Sequence, residues 1–317
     1  MPTPPILVLS AVGDPQLAQL HALPHTVIPN AAALDSAPRN AEVLFHWSGK
    51  RDLLRAAFLH SPNLRWVHSR QAGLDAILFP ELVASPIPLT NGTGVFSQSL
   101  GEFALAMMLY FAKDFPRMLR NQAAHRWEIF EVDELAGHTV GIVGYGDIGR
   151  AVARRAHAMG MNVLALKRHP PSQGDDLVQK VYGPKDLHVM LAQCDYVVCS
   201  APLTAETRHM ISAAEFAVMK PTAVVINIGR GPVIDQSALT LVLSQKKIRG
   251  AGLDVFEHEP IPPGDPIWAC DNVFISLHTA DHTHDWLDQA MQFFLKQYHL
   301  FRKGEKLQNI VDKHLGY

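Results

Sequence analysis

The sequence predicts an α/β protein that is built from parallel sheets in two domains. Short apolar runs alternate with helix-length amphipathic stretches almost throughout the chain, which is typical of parallel strands joined by helices. The length of 317 residues favours two domains, because domains typically contain ~100–200 residues. Apolar residues make up 48% of the chain and charged residues 18%, which is enough apolar material for a packed core in each domain.

The first domain is predicted from three apolar runs in the first hundred residues. The candidate strands are Ile6–Leu9, Val43–His46 and Leu64–His68. The amphipathic stretch 50–60 lies between the last two runs and is predicted as a helix. A long and mostly apolar segment from Ser97 to Gln122 is predicted as one helix that leads to the second domain.

The second domain is predicted from six further apolar runs that begin after residue 138. The candidate strands are Thr139–Val143, Asn162–Leu166, Tyr196–Ser200, Ala223–Asn227, Ala251–Phe256 and Val273–Ser276. Helices are predicted at Ile148–Met159, Lys185–Ala192, Ala213–Met219 and Gln236–Lys246. Six parallel strands with helices between them have the count and order of a doubly wound dinucleotide-binding fold.

The end of the chain is predicted to return to the first domain. After the sixth strand there is room for one helix, at about Asp285–Phe301, and a short tail, which is too little for a domain. We therefore expect a substrate-binding domain of residues 1–100 plus 283–317. The residues 101–282 then form the dinucleotide-binding domain.

Composition and charge disfavour several classes of protein. Lys and Arg number 28 against 30 Asp and Glu, so there is no basic excess for wrapping nucleic acid. The longest uninterrupted apolar run, Phe103–Ala112, has ten residues, whereas a membrane span needs roughly 20. The first residues lack the pattern of a signal peptide, and three cysteines without CxxC spacing argue against a disulfide framework. We expect a soluble, cytoplasmic protein.

A glycine-rich turn predicts a phosphate-binding site. Gly144, Gly146 and Gly149 have G-x-G-x-x-G spacing, directly after the strand 139–143 and at the start of a helix. In that context the first glycine permits the tight turn, the second lets the backbone approach a pyrophosphate, and the third lets the helix pack on the strand. The alternative is a purely structural glycine turn.

The end of the next strand favours NADP(H) over NAD(H), although NAD(H) stays possible. An NAD-binding enzyme usually has an acid there that accepts from the adenosine 2′-hydroxyl. This strand ends with Lys167, Arg168 and His169, and no acid follows until Asp175. Two cations suit a 2′-phosphate, since a guanidinium can bind its oxygens in a fork. A solvated basic loop is the alternative.

Three further patches each follow a predicted strand, where ligands bind in open α/β sheets. They contain Arg230 between two glycines, Glu259 before Pro260, and His278 in Ser-Leu-His-Thr-Ala. The ordered set QAGLD (71–75), GYGDIG (144–149), APLTAET (201–207), INIGRGPVID (226–235), GLDVFEHEP (252–260) and SLHTA (276–280) resembles the D-isomer-specific 2-hydroxyacid dehydrogenase family. The resemblance covers nearly the whole chain and is strongest to the NADPH-dependent glyoxylate/hydroxypyruvate reductases.

The resemblance implies a flavodoxin-like substrate domain and a Rossmann cofactor domain, with the active site in the cleft. It also implies a homodimer whose contacts involve the long linking helix. The residues it assigns to the cofactor are Gly144, Gly146, Asp147, Ile148, Gly149, Lys167, Arg168, Pro202, Thr207, Ile228, Arg230, Asp254, His278 and Ala280. Among these, Asp254 matches the residue that binds the nicotinamide carboxamide.

Reduction of a 2-oxo acid explains the three catalytic candidates. Arg230 supplies a permanent cation that holds the carboxylate and polarises the ketone. His278 is the proton donor, because an imidazole exchanges protons near neutral pH. Glu259 orients His278 and favours its protonated form. The resemblance assigns binding of the substrate carboxylate to Ala72 and Gly73, and Arg230 and His278 also contact the substrate. Arg70, in the same loop, is a further candidate for substrate binding.

The sequence departs from the family pattern at two positions. Leu277 replaces the proline that usually precedes the catalytic histidine, and Arg70 is uncommon in the substrate loop. Trp47 and Arg70 are candidates for lining the substrate pocket, although Trp47 could instead cap the core.

The predicted activity is NADPH-dependent reduction of a small 2-oxo acid, such as glyoxylate or hydroxypyruvate, to the D-2-hydroxy acid. Alternatives are a corepressor-like protein that senses dinucleotides, or a dehydrogenase that uses NADH and bulkier substrates. Formate dehydrogenase is disfavoured, because its cofactor-side histidine pairs with Gln where this chain has Glu259. Phosphoglycerate dehydrogenase is also disfavoured, although its short forms stay possible. We expect no metal, although His278, His282, His284, Asp281 and Asp285 form a loosely spaced ligand set. A small-molecule substrate is the expected partner, with neither nucleic acid nor membrane.

Overall fold

The computed structural model describes residues 3–170 and 175–317. It divides into two compact units, of which the first contains Met1–Phe96 and His284–Tyr317, and the second contains Ser97–Thr283. Each unit is built on one parallel sheet, so the predicted fold class is confirmed.

The first unit has five parallel strands among its described residues, in the order β2-β1-β3-β4-β5. They are Ile6–Leu9, His25–Ile28, Val43–His46, Trp66–Ser69 and Leu89–Thr90, numbered β1 to β5. The predictions of β1 and β3 are confirmed, and β4 begins two residues later than predicted. The sequence did not predict β2, in which only Ile28 is buried, or β5, which has two residues. Short 3-10 helices at Pro15–Leu20 and Ala31–Ser36 accompany α1 (Arg51–His60) and α2 (Pro80–Ala84).

The second unit, over residues 97–170 and 175–283, has seven parallel strands in the order β12-β11-β10-β9-β6-β7-β8. They are Thr139–Val143, Asn162–Leu166, Lys180–Tyr182, Tyr196–Cys199, Val224–Asn227, Gly250–Leu253 and Val273–Ile275, numbered β6 to β12. The six predicted strands are present, with small shifts at their ends. The prediction missed β8, because it is short and begins with an exposed lysine.

The helices of the second unit alternate with most of its strands along the chain, as in other doubly wound folds. They are Ser97–Ala112, Phe115–Ala123, Asp147–Ala158, Leu187–Leu191, Ala213–Val218 and Gln236–Ser244, numbered α3 to α8. Short 3-10 helices lie at Pro184–Asp186, Gly231–Val233 and Pro266–Ala269.

The prediction of one helix over 97–122 is wrong, because the chain breaks it between α3 and α4. Asp114 adopts a left-handed backbone with φ 50°, and its carboxylate accepts the N–H of Arg117 at 3.3 Å. Pro116 then occupies the first turn of α4, where its missing N–H costs nothing. A left-handed aspartate that caps the next helix therefore ends α3 and starts α4.

The last helix, α9 (Trp286–Lys303), belongs to the first unit. Phe294 is fully buried and stacks on Phe45 of β3, with ring centroids 3.7 Å apart. Its ring also stacks on Trp66 of β4 at 5.5 Å. The hydroxyl of Tyr298 donates to the carbonyl of Pro4 at 2.8 Å. The C-terminal helix thus closes the core of the first sheet.

Among the described residues, no helix has the length and apolar character that a membrane crossing requires.

Candidate active site

The glycine-rich turn joins β6 to α5. Gly144 has φ +98°, and a Cβ there would lie 2.5 Å from the backbone nitrogen of Ala201. A Cβ on Gly149 would overlap the carbonyl oxygen of Gly144, so both glycines are required by close packing. A Cβ on Gly146 would meet no atom within 4 Å. The backbone is therefore open at Gly146, directly before the first turn of α5, and this arrangement fits a bound pyrophosphate.

An acidic residue that no motif specifies lies against this turn. The hydroxyl of Tyr145 donates to the carboxylate of Asp175 at 2.9 Å, and the guanidinium of Arg150 pairs with the same carboxylate. Burial raises the pKa of Asp175. The N–H of Leu177, the Tyr145 hydroxyl and the Arg150 charge outweigh burial and leave the pKa below its usual value. Asp175 is therefore a carboxylate whose charge is partly balanced by Arg150.

The two cations predicted for a 2′-phosphate follow β7. Lys167 is exposed, and its backbone N–H donates to the carbonyl of Tyr182 at 3.0 Å. The guanidinium of Arg168 forms an ion pair with Glu206, whose side chain is 70% exposed. Sequence reasoning did not find Glu206, although it lies within the segment 201–207 that carries part of the resemblance.

The remaining cofactor candidates lie at the ends of neighbouring strands. Thr207 donates its hydroxyl to the carbonyl of Pro202 at 2.6 Å, which fixes the loop after β9. Ile228, directly after β10, is buried. Asp147 opens α5 and accepts a hydrogen bond from Ser97 of α3, and the half-buried Ile148 follows it.

Arg230 lies in the loop after β10. Its own backbone carbonyl accepts from the side chain of Asn227 at 3.1 Å. A Cβ on Gly231 would overlap the backbone of Phe256, so a glycine is required where this loop touches the loop after β11. The positive charge of Arg230 lowers the pKa values of both Glu259 and His278, which places the three groups within electrostatic reach of one another.

Glu259 and His278 form a close pair. His278 Nδ1 lies 2.7 Å from Glu259 Oε2, and the N–H of Phe256 donates to the other carboxylate oxygen at 2.8 Å. The hydrogen bond with Glu259 raises the pKa of His278 and outweighs the opposing effect of burial. Burial raises the pKa of Glu259, but the bonds from His278 and Phe256 outweigh it and lower the pKa. Both partners therefore favour the charged state.

The loop that carries His278 is held by hydrogen bonds to Asp254. This aspartate is 1% exposed, and its backbone carbonyl accepts the N–H of His278 at 2.7 Å. Its Oδ1 accepts the Ser276 hydroxyl at 2.5 Å and the N–H groups of Thr279 and Ala280 at 2.9 and 3.0 Å. The resemblance gave Asp254 a role toward the cofactor, and the structure shows that it also holds the histidine loop.

The same loop has an uncommon backbone conformation. Leu277 and His278 have φ of 60° and 57°, in the left-handed region that residues with a side chain rarely adopt. On the far side of His278, the Ser99 hydroxyl of α3 donates to the carbonyl of Ala280 at 2.6 Å. Fixed contacts on both sides thus hold the histidine in a conformation that costs energy.

The histidine-rich segment after His278 does not form a metal cluster among the described residues. His282 Nε2 lies 3.7 Å from Asp281 Oδ1. Burial and the nearby Asp254 raise the pKa of Asp281, with His282 and His278 acting in the opposite direction.

The substrate-binding candidates lie in the first unit, in the loop that follows β4. The side chain of Asn91 donates to the carbonyl of Ala72 at 2.6 Å, and Gly73 follows in the same turn. The guanidinium of Arg70 lies over the rings of Trp47 and Trp286, at 4.8 and 5.0 Å from Cζ to the ring centroid. Trp286, at the start of α9, was not predicted from the sequence.

Comparison with known proteins identifies relatives over almost the whole chain. Residues 105–280 match the family described as "D-isomer specific 2-hydroxyacid dehydrogenase, NAD binding domain". A glyoxylate reductase of Korarchaeum cryptofilum is 35% identical over 81% of this chain and 78% of its own length. A D-isomer specific 2-hydroxyacid dehydrogenase of Xanthobacter autotrophicus, solved with NADPH and MES, is 30% identical with a TM-score of 0.85. The match covers 98% of this chain and 99% of that one.

A second solved structure matches this chain along its full length. It is an NADPH-dependent glyoxylate/hydroxypyruvate reductase of Sinorhizobium meliloti, in complex with NADP and sulfate. The two chains are 26% identical, each is covered to 100%, and the TM-score is 0.86.

Proposed function

We propose that this chain, which belongs to the D-isomer specific 2-hydroxyacid dehydrogenase family of NAD(P)-dependent oxidoreductases, reduces a small 2-oxo acid to the D-2-hydroxy acid. The observation that carries the proposal is the Glu259–His278 pair within electrostatic reach of Arg230. These residues follow β11, β12 and β10, which are neighbours in the sheet. Carboxyl ends of neighbouring parallel strands are where open α/β sheets bind ligands.

His278 donates the proton in this proposal. Its Nδ1 faces Glu259, so Nε2 is the ring atom that delivers a proton to the substrate oxygen. The raised pKa keeps the imidazole protonated to higher pH than a free histidine, which suits a group that must act as an acid. Glu259 fixes the ring orientation and stabilises the imidazolium through its opposite charge.

Arg230 holds the substrate. A guanidinium stays charged throughout the physiological pH range, and its donors can bind a carboxylate and a neighbouring ketone oxygen together. The same charge stabilises the oxygen that becomes negative as the carbonyl is reduced. Holding both reacting groups in one orientation contributes to the rate by itself.

A nicotinamide dinucleotide, when bound, supplies the hydride that goes to the carbonyl carbon, while the proton from His278 goes to the carbonyl oxygen. We assign the pyrophosphate to the open backbone at Gly146 and the start of α5. Lys167 and Arg168 would bind a 2′-phosphate, so we propose NADP(H) as the preferred cofactor. Two relatives that were solved with NADPH or NADP support this preference.

We assign the cofactor to the second unit, and we assign further contacts with the substrate to the loop after β4 in the first unit. Ala72 and Gly73 would offer backbone N–H groups to the carboxylate, and Arg70 would contact the rest of the substrate. A cytoplasmic location stays a prediction from the sequence.

A homodimer is part of the proposal and is supported by an apolar arm after α4. In this arm Trp127 is 95% exposed and Ile129 is 90% exposed. The arm is nevertheless fixed, because Glu128 pairs with Arg117, and the Arg117 guanidinium lies 4.3 Å from the Phe130 ring centroid. Fixed and exposed apolar residues are typical of an interface. Sedimentation of Trp127→Glu beside the wild type tests this, with a monomer expected for the variant.

The loss of reduced-cofactor absorbance tests the activity directly. NADPH and NADH are each combined with glyoxylate, hydroxypyruvate, pyruvate, phenylpyruvate and 2-oxoglutarate. We expect turnover with NADPH on at least one of them, and faster turnover with NADPH than with NADH. Cofactor binding without turnover on any 2-oxo acid would contradict the reductase and favour a protein that senses dinucleotides.

A further inference from the structure

The turn that carries Glu259 is held by a pair of residues that the proposed mechanism does not use. Residues 255–260 belong to no helix or strand, so their backbone groups find partners other than a strand ladder. The N–H of Glu257 donates to the side-chain oxygen of Gln236 at 3.0 Å. In return, the N–H of Gln236 donates to Glu257 Oε1 at 3.1 Å. Glu257 and Gln236 therefore bind each other's backbone.

His209, in the loop after β9, binds the same carboxylate. Its Nε2 lies 2.7 Å from Glu257 Oε1, and because a carboxylate only accepts, this nitrogen carries the hydrogen. The N–H of His209 donates to the carbonyl of Pro232 at 2.8 Å, two residues after Arg230. We call His209, Gln236 and Glu257 the carboxylate clasp. The clasp joins the loops that follow three neighbouring strands, β9, β10 and β11.

The Gln236 end of the clasp is the more rigid one. Gln236 is the first residue of α8, and Asp235 before it caps the helix by accepting the N–H of Ala238 at 2.9 Å. The side-chain amide of Gln236 also donates to Asp265 at 2.9 Å, which fixes its oxygen toward Glu257. When the clasp opens, the turn at Glu257 is therefore the part that moves.

The contacts of Glu257 lead directly to the proposed proton donor. The peptide unit between Phe256 and Glu257 is bound to Gln236, and the peptide unit before Phe256 donates its N–H to Glu259 Oε1 at 2.8 Å. The other oxygen of Glu259 lies 2.7 Å from His278 Nδ1. Because Phe256 is buried, its side chain anchors the backbone between these two peptide units. A rotation of the backbone at Glu257 would thus change the direction of the Glu259 carboxylate.

We propose that Glu257 is a positioning residue of the reaction, which holds the turn so that the Glu259 carboxylate stays bound to His278. The inference rests on the proposed function, in which His278 is the proton donor. Glu257 acts through the geometry of the turn, since its carboxylate binds Gln236 and His209 and leaves the contact with His278 to Glu259.

Loosening of the clasp should act most strongly at high pH. The hydrogen bond with Glu259 is the largest cause that raises the pKa of His278, ahead of the charges of Glu259 and Asp254, whereas burial and Arg230 lower it. A Glu259 carboxylate that leaves the histidine part of the time would therefore lower this pKa. At low pH the imidazole is protonated without that help, so the loss of activity should shrink as the pH falls.

Glu257→Ala removes the carboxylate of the clasp. We expect kcat/KM at about pH 8 to fall by about 3- to 10-fold, the range that one hydrogen bond corresponds to. The falling limb of the pH profile should lie between those of the wild type and Glu259→Gln. Glu257→Gln keeps an oxygen for the N–H of Gln236, so it should restore most of the rate and of the limb. A loss by the same factor at every pH from 5 to 9 would overturn the inference, because a merely structural role lowers the active fraction equally.

Glu215 offers a matched control in the same unit. Its carboxylate also pairs with an exposed histidine, His188 at 2.7 Å, and also accepts a backbone N–H, that of Ser212 at 3.0 Å. Glu215→Ala should therefore cost the fold a comparable pair and leave the falling limb unchanged, whereas a shift equal to that of Glu257→Ala would overturn the inference. His209→Gln removes the imidazole of the clasp but keeps an N–H donor for Glu257, so it too should leave the limb unchanged.

A direct measurement on His278 does not depend on turnover. The pKa of its imidazole is followed by NMR in protein with isotope-labelled histidines, and His278→Ala identifies the signal. This pKa should be lower than in the wild type both in Glu257→Ala and in Gln236→Ala, which opens the clasp from its other end, and unchanged in Glu215→Ala. The same pKa in the wild type and in Glu257→Ala would refute the inference alone. A wild type that reduces no 2-oxo acid would instead refute the proposed function.

Discussion

The ion pairs at the two ends of the proposed cofactor site, both in the second unit, are expected to have different effects on function. At the proposed nicotinamide end, Glu259 and His278 pair with each other, and the pairing raises the pKa of the histidine. At the adenosine end, Arg168 pairs with Glu206 and Arg150 pairs with Asp175. Under the proposed function, Glu206 and Asp175 would compete with a bound phosphate for Arg168 and Arg150. The proposal thus predicts that the Glu259–His278 pair favours catalysis, whereas the two arginine pairs reduce the affinity for the phosphates of the cofactor.

The largest effect is expected at the nicotinamide end. His278→Ala should lower turnover by about 10²- to 10⁴-fold, because no other group would replace the proton donor. Binding of NADPH, measured by fluorescence, should change little. His258→Ala is the control, since this neighbouring histidine is exposed, and near-normal turnover of His278→Ala would refute the assignment.

The second-largest loss of turnover is expected from substitution of Asp254, which holds the loop that carries His278. Asp254→Ala removes the acceptor of three hydrogen bonds, so we expect turnover to fall by about 10- to 100-fold as the histidine loop loses its position. Asp254→Asn keeps an acceptor oxygen and should lose less. A loss of NADPH affinity equal to the loss of turnover in Asp254→Ala would show that the residue acts on the cofactor alone.

The pH dependence of kcat/KM tests the role of the Glu259–His278 pair. Reduction needs protonated His278, so kcat/KM should fall as the pH rises through its raised pKa. Glu259→Gln removes the largest cause of that increase, and the falling limb should therefore move to lower pH. Measurement of kcat/KM for the wild type and for Glu259→Gln from pH 5 to 9 tests this shift. An unchanged limb would mean that a different group titrates.

At the adenosine end, exchange of both cations should reverse the cofactor preference. Lys167→Asp with Arg168→Ala removes the positive charge and supplies an acceptor for a 2′-hydroxyl. We expect the ratio of kcat/KM for NADPH to that for NADH to fall by about 10-fold or more. The same ratio in the variant and in the wild type would contradict phosphate binding by these residues.

The smallest effect is expected from substitution of Glu206, which forms the ion pair with Arg168. Glu206→Gln frees Arg168 from its ion pair, so NADPH should bind roughly two- to fivefold more tightly, in line with the small free energy of an exposed pair. The affinity for NADH should stay the same. Weaker NADPH binding in Glu206→Gln would show that Glu206 positions Arg168 rather than competing with the cofactor.

Much of the fold could be predicted because most strands are fully buried apolar runs. β1, β3, β6 and β7 have the predicted bounds, and each lies almost entirely in the core. The missed strands lack that signal, since β2 is only partly buried, β5 is very short, and β8 begins with an exposed lysine.

The candidate site was predictable only where a motif supplies the residue. The glycines, Arg230, Glu259 and His278 stand at fixed positions after strands, and a sequence shows both the strand and the residue. Glu206, Asp175 and Trp286 contact predicted residues through the tertiary fold, from segments whose relative position no local pattern specifies. The identity of a charged residue is therefore readable from sequence, whereas its partner is not.

The closing of the first core by α9 has a consequence for the order of folding during synthesis. Phe45 and Trp66 leave the ribosome early, but the ring of Phe294 that covers them is made only after the whole second unit. At about 5–20 residues per second, the delay is on the order of 10 to 40 s. The second unit, continuous in sequence, can complete its own core first. A nascent chain therefore carries a first sheet whose core is incomplete for that time.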